Sequence, residues 1–188
     1  MNRYQIILAS GSPRRKQLLQ DAGFEFEVRT KDTEEVFPQD LPRHEVAEYL
    51  ATLKANAFEA DINDNQLIIA ADTVVICNNQ LLGKPTSVED AKRMLRLMSG
   101  NQHKVITGVC LMTKSKKIIF SDSTEVFFNT LTEAEIENYI EKHKPMDKAG
   151  SYGVQDWIGL VGIRSLVGSF YNVMGLPVDL VYQKLREF

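Results

Sequence analysis

The sequence predicts an α/β fold built on a mixed β-sheet, and two observations lead to this prediction. Strand-like apolar segments alternate with amphipathic helical segments along most of the chain, which is typical of α/β proteins. Two long strand-like segments, 103–113 and 117–128, are separated only by a Lys/Ser turn and therefore predict an antiparallel hairpin. Because a purely parallel sheet does not accommodate such a hairpin, we expect parallel and antiparallel neighbours in one sheet.

The first half of the chain predicts strands that alternate with helices. A strand at 5–9 leads into a helix that Ser12 caps, Pro13 begins and Gly23 ends in a left-handed conformation. The segment 24–28 alternates with period two, which indicates a half-buried strand. The elements expected next are a polar loop at 30–42, a helix with Val46, Leu50, Leu53 and Ala57 on its buried side, and a strand over 67–77 that turns at Asn78-Asn79.

The second half predicts three helices and two glycine-containing loops. Ser87 and Thr132 each precede an acidic residue at the third position after them, a pattern that begins a helix. The third helix is amphipathic and covers 178–185. Glycines punctuate 147–155 and 168–177, and we expect both segments to be loops that line a pocket, although tight turns use glycine as well.

Composition predicts a single globular domain over residues 1–188. Apolar residues make up 44% of the chain and charged residues 25%, both average for globular proteins. The net charge of −3 argues against a surface that binds nucleic acid or an anionic membrane, but it leaves room for a small basic pocket.

The first apolar run is too short for a signal peptide, and no run approaches a membrane span, so we expect a cytoplasmic protein. Cys77 and Cys110 lie in apolar segments without metal or redox spacing, so we expect two small buried side chains.

Asp72 is the first residue that packing does not explain. It stands in the middle of the predicted strand 67–77, with apolar residues on both sides. A carboxylate in such a place is costly unless it is paired, protonated or bound to a metal. An aspartate that caps a strand end or a bulge is the alternative, but the apolar residues on both sides favour a functional role.

A small-residue loop with a basic continuation joins the first strand to the first helix. It contains Ser10, Gly11 and Ser12, and Arg14 and Arg15 follow in the first helical turn. Free N–H groups and the positive end of the helix dipole favour an anion there, whereas cations in a first turn oppose that dipole. The loop therefore predicts either a phosphate site or an ordinary capped helix with a basic first turn, since it matches neither common glycine-rich phosphate motif.

Four further charged residues have two interpretations each. Lys54 lies at the margin of the buried stripe of its predicted helix, where a lysine commonly extends its head into water. Lys84 is fixed in the turn Gly83-Lys84-Pro85, as a solvated turn residue or as part of a site. Glu34 and Glu35 form an acidic loop pair that is either solvated or holds Mg²⁺ against a substrate phosphate.

Several motifs occur in order along nearly the whole chain. They are Leu8-Ala9-Ser10-Gly11-Ser12-Pro13-Arg14-Arg15, Ala71-Asp72-Thr73-Val74-Val75, Gly83-Lys84-Pro85, Ser99-Gly100-x-x-His103-x-Val105-x-Thr107-Gly108-Val109, Asp147-Lys148-Ala149-Gly150-x-Tyr152-Gly153-x-Gln155 and Asn172-Val173-Met174-Gly175-Leu176-Pro177. Together they are far more specific than any one of them, and the chain resembles the Maf family of nucleoside triphosphate pyrophosphatases.

The resemblance implies hydrolysis of a nucleoside triphosphate to the monophosphate and diphosphate with a divalent metal, Mg²⁺ or Mn²⁺. It also implies a homodimer, and an elongated mixed sheet flanked by helices with the active site in a cleft between two lobes. Three positions distinguish the subfamilies, and Arg14, Thr73 and Gln155 resemble the set of the dTTP/UTP pyrophosphatases. The 7-methyl-GTP relatives carry a bulky aromatic residue before the arginine pair and a different residue after the aspartate, and neither departure is seen here.

The same resemblance implies a role for each site residue. Asp72 is the expected base that accepts a proton from the attacking water. With Glu35 it is the expected metal ligand, and Glu34 is the alternative. Thr73 and Gln155 are expected to contact the base with Arg14, because an amide can pair with the O/N–H edge of uracil or thymine. The residues expected to hold the triphosphate are Ser10, Ser12, Arg14, Arg15, Lys54 and Lys84.

Two other functions remain open at this stage. The same site would serve a house-cleaning hydrolase whose true substrate is a modified pyrimidine triphosphate. A protein that binds nucleotide without turnover and regulates septum formation is the other alternative, because the family is associated with arrest of cell division. Nucleic-acid binding is disfavoured, since the basic residues of the N-terminal loop have no aromatic residues between them.

Overall fold

The computed structural model describes residues 4–188, which form two compact units. The first unit contains the chain up to Asp72 together with Thr107–Asp122 and Gly175–Phe188. The second unit contains Thr73–Ile106 and Ser123–Met174. The chain passes from one unit to the other three times within a strand, as between Asp72 and Thr73, and once after a helix, between Met174 and Gly175.

A seven-stranded mixed sheet confirms the predicted fold class. The strands are β1 (Gln5–Leu8), β2 (Phe26–Val28), β3 (Gln66–Cys77), β4 (Gln80–Leu82), β5 (Gln102–Met112), β6 (Lys117–Phe128) and β7 (Ile163–Val167). Their order is β2-β1-β3-β5-β6-β7, and β4 also pairs with β3. β1 runs parallel to β2 and β3, whereas β4 is antiparallel to β3 and β7 is antiparallel to β6.

The helices of residues 4–188 are α1 (Pro13–Asp21), α2 (Val46–Asn56), α3 (Val88–Met98), α4 (Glu133–His143), α5 (Trp157–Val161), α6 (Phe170–Met174) and α7 (Val178–Leu185). Helices α1, α3 and α4 begin at the predicted caps Ser12, Ser87 and Thr132. The Arg15 N–H donates to the Ser12 hydroxyl over 3.5 Å, and Gly23 ends α1 with a φ of 77°. Thr132 and Glu135 form a complete capping box at α4. Within residues 4–188, every helix is too short or too polar to cross a bilayer.

In the first unit, α2 packs tightly against the sheet. Its small residues Ala51 and Ala55 share a buried apolar cluster with Ile68 of β3 and Cys110 of β5. Gly108 of β5 lies so close to the helix that an added Cβ would be 2.3 Å from the Ala47 carbonyl carbon. This close approach is possible only because Gly108 has no side chain, and it fixes the helix that carries Lys54.

In the second unit, α3 and α4 cover a larger apolar cluster. Leu95 and Met98 of α3 and Ile136 and Tyr139 of α4 are almost fully buried in it. His103, Phe128 and Tyr152 form edge-to-face ring contacts with centroid separations of 4.9 to 5.3 Å. The cluster therefore fixes the segment around Tyr152 from the side opposite to solvent.

The sequence prediction is wrong in part for the last quarter of the chain. The segment 168–177 is not a continuous loop, because Phe170–Met174 forms helix α6. Helix α5 and strand β7 were not predicted either, since each has only five residues and the strand does not alternate clearly between apolar and polar residues. Both cysteines are buried and free, as predicted, and burial raises the pKa of the Cys110 thiol to about 11.

Candidate active site

The centre of the candidate site is a lysine held between two carboxylates. Asp72 lies in the middle of β3 and is 9% exposed, and it forms an ion pair with Lys54. The Lys54 Nζ is also 2.9 Å from the Glu35 Oε1 of the polar loop. The Lys54 side chain is only 17% exposed, so of its two interpretations the one in which the ammonium extends into water is wrong. The buried aspartate thus has the charge partner that its position requires.

The start of α1 forms the second part of the site. The Ser10 hydroxyl accepts from the Ser12 N–H and from the Arg15 Nη1, each over 3.2 Å. The Arg15 Nε donates to the Gly175 carbonyl over 2.7 Å. Two sides of the guanidinium are therefore fixed by hydrogen bonds, one of them to the loop that precedes α7. Such fixing pre-orients a group that binds phosphate through two parallel hydrogen bonds.

The charges of the two parts act on each other. Burial lowers the pKa of the Arg15 guanidinium, and the neighbouring positive charge of Arg14 lowers it further. The negative charges of Asp72 and Glu35 oppose this shift and raise the pKa. Arg15, Arg14, Asp72 and Glu35 therefore share one electrostatic environment in the first unit, where positive and negative charges lie side by side. A ligand that carries both phosphates and a cation matches that pattern.

Glu35 and Asp72 provide the oxygen ligands that a divalent cation prefers. Both carboxylates contact the same Lys54 ammonium, so their oxygens converge on one cationic position. Within residues 4–188, no group of three or more His, Cys, Asp or Glu residues could hold a metal ion by itself. Two carboxylates therefore fit Mg²⁺ or Mn²⁺ only if phosphate oxygens and water complete the coordination, which is the usual arrangement for Mg²⁺ in phosphate chemistry. Of the two loop glutamates, it is Glu35 that contacts Lys54.

The second unit holds the other three predicted site residues. Thr73 follows Asp72 in β3 and is half-buried, whereas Lys84 and Gln155 are exposed. The turn of Lys84 and the loop of Gln155 are joined, because the Gly150 N–H donates to the Gly83 carbonyl over 3.0 Å. Lys84 and Gln155 are thus carried by neighbouring backbone segments of one compact unit.

Some contacts of the site could not be found from the sequence. The Gly175 carbonyl that binds Arg15 belongs to a motif that the sequence singled out, but a main-chain acceptor carries no side-chain signal. Tyr139, whose hydroxyl contacts Asp156 and Gly153 beside Gln155, has the helical spacing of an ordinary core residue. The one signal in the sequence is the hydroxyl group itself, because a buried tyrosine hydroxyl normally forms a hydrogen bond.

Fold and site together define an α/β protein with a candidate anion-binding strand–helix junction beside a paired carboxylate. Among solved structures, the Ham1 protein of Staphylococcus aureus has a similar fold, with a TM-score of 0.51 and 15% sequence identity over 97% of this chain and 98% of that chain. At this identity the likeness concerns the fold alone.

Residues 5–188 match the family described as Maf-like protein, and the chain belongs to that family. Three relatives are each named dTTP/UTP pyrophosphatase. The Cytophaga hutchinsonii protein is 54% identical over 97% of this chain and 83% of the relative. The Bacteroides thetaiotaomicron protein is 47% identical over 100% of this chain and 97% of the relative. The Flavobacterium psychrophilum protein is 49% identical over 95% of this chain and 91% of the relative.

Proposed function

We propose that the protein is a nucleoside triphosphate pyrophosphatase that acts on dTTP and UTP. The observation that carries the proposal is the buried Asp72, which is paired with Lys54 and whose charge acts on Arg15. A carboxylate for proton transfer and cations for a triphosphate are therefore neighbours in one unit. Relatives that are 46 to 54% identical and named dTTP/UTP pyrophosphatase support the same substrates.

In the proposed reaction, a water oxygen forms a bond to the α-phosphorus of the substrate. The bond from that phosphorus to the α–β bridging oxygen breaks, so that diphosphate leaves and the nucleoside monophosphate remains. Asp72 accepts the proton of the attacking water, and the Lys54 ammonium holds the carboxylate in place through the ion pair. Reactions of this type depend chiefly on positioning and on electrostatic stabilisation, which fixed charges supply.

The basic and hydroxyl side chains at the start of α1 bind the phosphates in this proposal. Arg15 is held by Ser10 and by the Gly175 carbonyl, so little side-chain freedom is lost when it contacts a phosphate. Ser12 and Arg14 belong to the same helix start, where main-chain N–H groups add to the positive potential. Lys54 and Lys84 complete the proposed phosphate ligands.

Asp72 and Glu35 would hold the divalent cation, Mg²⁺ or Mn²⁺. Once bound, such a cation neutralises charge on the phosphate oxygens.

If Glu35 is a ligand, Glu35→Gln raises the Mg²⁺ concentration that gives half-maximal activity. The matched control is Glu34→Gln, which removes the same charge from the neighbouring residue. An equal shift in both variants contradicts a specific role of Glu35 and indicates only a change in the local potential.

In this proposal, the nucleobase that the site accepts is selected by Thr73, Gln155 and Arg14. The exposed Gln155 has an amide with one acceptor and one donor group, which matches the carbonyl and N–H edge shared by uracil and thymine. Adenine presents an amine and a ring-nitrogen acceptor instead, and guanine, which shares the carbonyl and N–H pair, is larger than a pyrimidine. We therefore propose selectivity for the two pyrimidine nucleotides that share this edge.

A panel of nucleoside triphosphates tests the proposed function. The assay measures pyrophosphate release with Mg²⁺ and, in parallel, with Mn²⁺. We expect kcat/KM for dTTP and UTP to exceed that for ATP, GTP and 7-methyl-GTP. A purine preference would contradict the assignment of Arg14, Thr73 and Gln155.

The same assay decides between the two alternatives when 5-substituted pyrimidine triphosphates are added to the panel and dTTP binding is measured in parallel. Higher kcat/KM for 5-substituted pyrimidine triphosphates would favour a hydrolase of modified nucleotides. Tight dTTP binding without pyrophosphate release would favour a regulator of septum formation.

The homodimer implied by the family resemblance stays a prediction, and sedimentation equilibrium measures it directly.

A further inference from the structure

Gln155 lies between two residues that contact the same tyrosine hydroxyl, one through its backbone and one through its side chain. The Tyr139 hydroxyl accepts from the Gly153 N–H over 3.1 Å and donates to the Asp156 Oδ2 over 2.9 Å. Gly153 precedes Gln155 by two positions, and Asp156 follows it directly. A single hydroxyl group therefore joins the residues before and after the exposed glutamine.

Tyr139 is itself held rigidly. It lies in α4, which the Thr132–Glu135 capping box begins, and it is 0% exposed. Its ring stacks on His143 with a centroid separation of 5.0 Å. Burial raises the pKa of the Tyr139 hydroxyl well above its usual range, and the charge of Asp156 adds to this shift. The hydroxyl is therefore protonated at neutral pH and donates to Asp156.

The segment that carries Gln155 has little room to move. Gly159 lies so close to the Val154 carbonyl oxygen that an added Cβ would be only 1.8 Å from it. A Cβ on Gly153 would be 2.6 Å from the Asp156 Oδ2 and 3.0 Å from the Gln155 Nε2. The Gln155 amide thus lies against Gly153, one of the two residues that the Tyr139 hydroxyl binds.

We propose that Tyr139 is a positioning residue that sets base selectivity by holding the Gly153 backbone and the Asp156 side chain, which lie on either side of Gln155. The inference rests on the proposed function, in which Gln155 contacts the base. Uracil and thymine present a carbonyl and an N–H where cytosine presents an amine and a ring-nitrogen acceptor. Discrimination between them depends on which end of the Gln155 amide faces the base. The amide nitrogen lies against Gly153, so a shift of Gly153 after loss of the Tyr139 hydroxyl changes the room in which the amide can turn over.

The test compares dTTP with dCTP, which differ in this base edge and share the sugar and the triphosphate. Tyr139→Phe keeps the ring and removes the hydroxyl. We expect the dTTP/dCTP ratio of kcat/KM to fall by about five- to tenfold, as for the loss of one or two hydrogen bonds. We expect the fall to come from a higher KM for dTTP, with kcat within about twofold of the wild-type value, because the phosphates and Asp72 are not disturbed.

Tyr152→Phe is the matched control. It also removes a buried tyrosine hydroxyl in the second unit, which lies 2.7 Å from the His103 Nε2 and not on the residues beside Gln155. If loss of stability alone relaxed selectivity, both variants would lower the dTTP/dCTP ratio equally. We expect the ratio to fall only in Tyr139→Phe, with the thermal midpoint Tm recorded for each protein.

A double-mutant cycle with Gln155→Ala tests the route of the effect. If Tyr139 acts through Gln155, Tyr139→Phe changes the dTTP/dCTP ratio in the wild-type background and leaves it unchanged in the Gln155→Ala background. Asp156→Asn keeps an acceptor for the tyrosine hydroxyl and should retain the ratio, whereas Asp156→Ala should lower it. These two Asp156 variants replace Tyr139→Phe as the test if Tyr139→Phe does not fold.

Two results overturn the inference and are distinguishable from each other. If wild-type protein releases no pyrophosphate or does not prefer dTTP to dCTP, the proposed function fails and the inference fails with it. If wild-type protein is selective but Tyr139→Phe matches Tyr152→Phe, or Asp156→Ala matches Asp156→Asn, only the role of Tyr139 is refuted.

Discussion

Asp72 is costly for folding unless it is paired, and it is the residue proposed to accept the proton of the attacking water. A carboxylate in the middle of a buried strand requires a partner, and Lys54 supplies it from the last turn of α2. Lys54 in turn contacts Glu35, so the three charges form one chain of ion pairs. The carboxylate proposed as the proton acceptor is thereby held in place beside the cations proposed for the triphosphate.

Asp72→Asn tests the role of this carboxylate. Asparagine has nearly the same shape and still accepts a hydrogen bond from Lys54, but it is a far weaker base. We expect pyrophosphate release from dTTP to fall by about 10²- to 10⁴-fold, the usual contribution of a general base. Circular dichroism and Tm should show a folded protein, and turnover close to that of the wild type would remove Asp72 from the role of base.

His103 makes stability depend on pH. Burial lowers its pKa from 6.5 to about 3, so the folded protein holds the imidazole neutral while the unfolded chain binds a proton below about pH 6.5. Because the pKa is lower in the folded protein, the contribution of neutral His103 to the free energy of unfolding is fully present above pH 6.5. It is lost as the pH falls from 6.5 towards 3. Between pH 6.5 and about pH 5 we expect a loss of up to about 2 kcal/mol in the free energy of unfolding.

Urea unfolding at the two pH values measures this loss. His103→Gln has no group that titrates in this range and should show a smaller difference between them. The control is His143→Gln, which removes an exposed histidine from the end of α4 and should keep the wild-type difference. If His103→Gln loses as much stability as the wild type, another group is responsible for the pH dependence.

At the scale of the elements, the packing of α2 on the sheet positions Lys54. Ala47, Ala51 and Ala55 present a smooth helix face, and Gly108 of β5 meets it without a side chain. These residues allow the helix backbone to approach the strand closely. The end of α2 is thereby placed where the Lys54 ammonium reaches Asp72 in the neighbouring strand β3.

Gly108→Ala tests this packing. The new Cβ would lie 2.3 Å from the Ala47 carbonyl carbon and from the Glu48 nitrogen, and backbone atoms cannot move aside as a flexible side chain can. We expect a loss of about 1–3 kcal/mol, which for a chain of this length lowers Tm by roughly 3–10 °C. Gly83→Ala is the matched control, since no atom lies within 4 Å of its added Cβ, and its Tm should stay close to that of the wild type.

At the scale of the whole molecule, the net charge of −3 conceals a cationic region. Arg14 and Arg15 lie at one helix start, and Lys54 lies in the same unit, together with Asp72 and Glu35. An average over the chain cancels these charges against acidic residues elsewhere. Binding of a triphosphate depends on the local potential and not on the total charge.

Ionic strength tests this local potential. Because salt screens charge interactions, we expect KM for dTTP to rise several-fold between about 50 and 300 mM KCl, with a smaller change in kcat. A series at constant KCl with added sucrose controls for viscosity and water activity. A KM that does not depend on salt would contradict phosphate binding by exposed or half-buried cations.

Much of the local structure could be predicted from the sequence. The start of α1 at Ser12 and Pro13, the capping box at Thr132 and the mixed sheet were all expected. The two caps depend on interactions between near neighbours in the chain, which sequence patterns record directly. The mixed sheet was expected because only a short turn separates the strand-like segments 103–113 and 117–128. The short elements α5, β7 and α6 were missed because five residues hold too little periodicity to identify them.

The sequence by itself determined that Asp72 needs a partner, and it left Ser10 to Arg15 as either an anion site or an ordinary capped helix start. Only the tertiary structure decided that the partner is Lys54, that Glu35 and not Glu34 contacts it, and that Arg15 binds a carbonyl 160 positions away. It also decided that Tyr139 holds the segment of Gln155. The reason is that burial cost and capping are properties of a residue and its neighbours, whereas pairing between distant residues depends on strand order and helix packing.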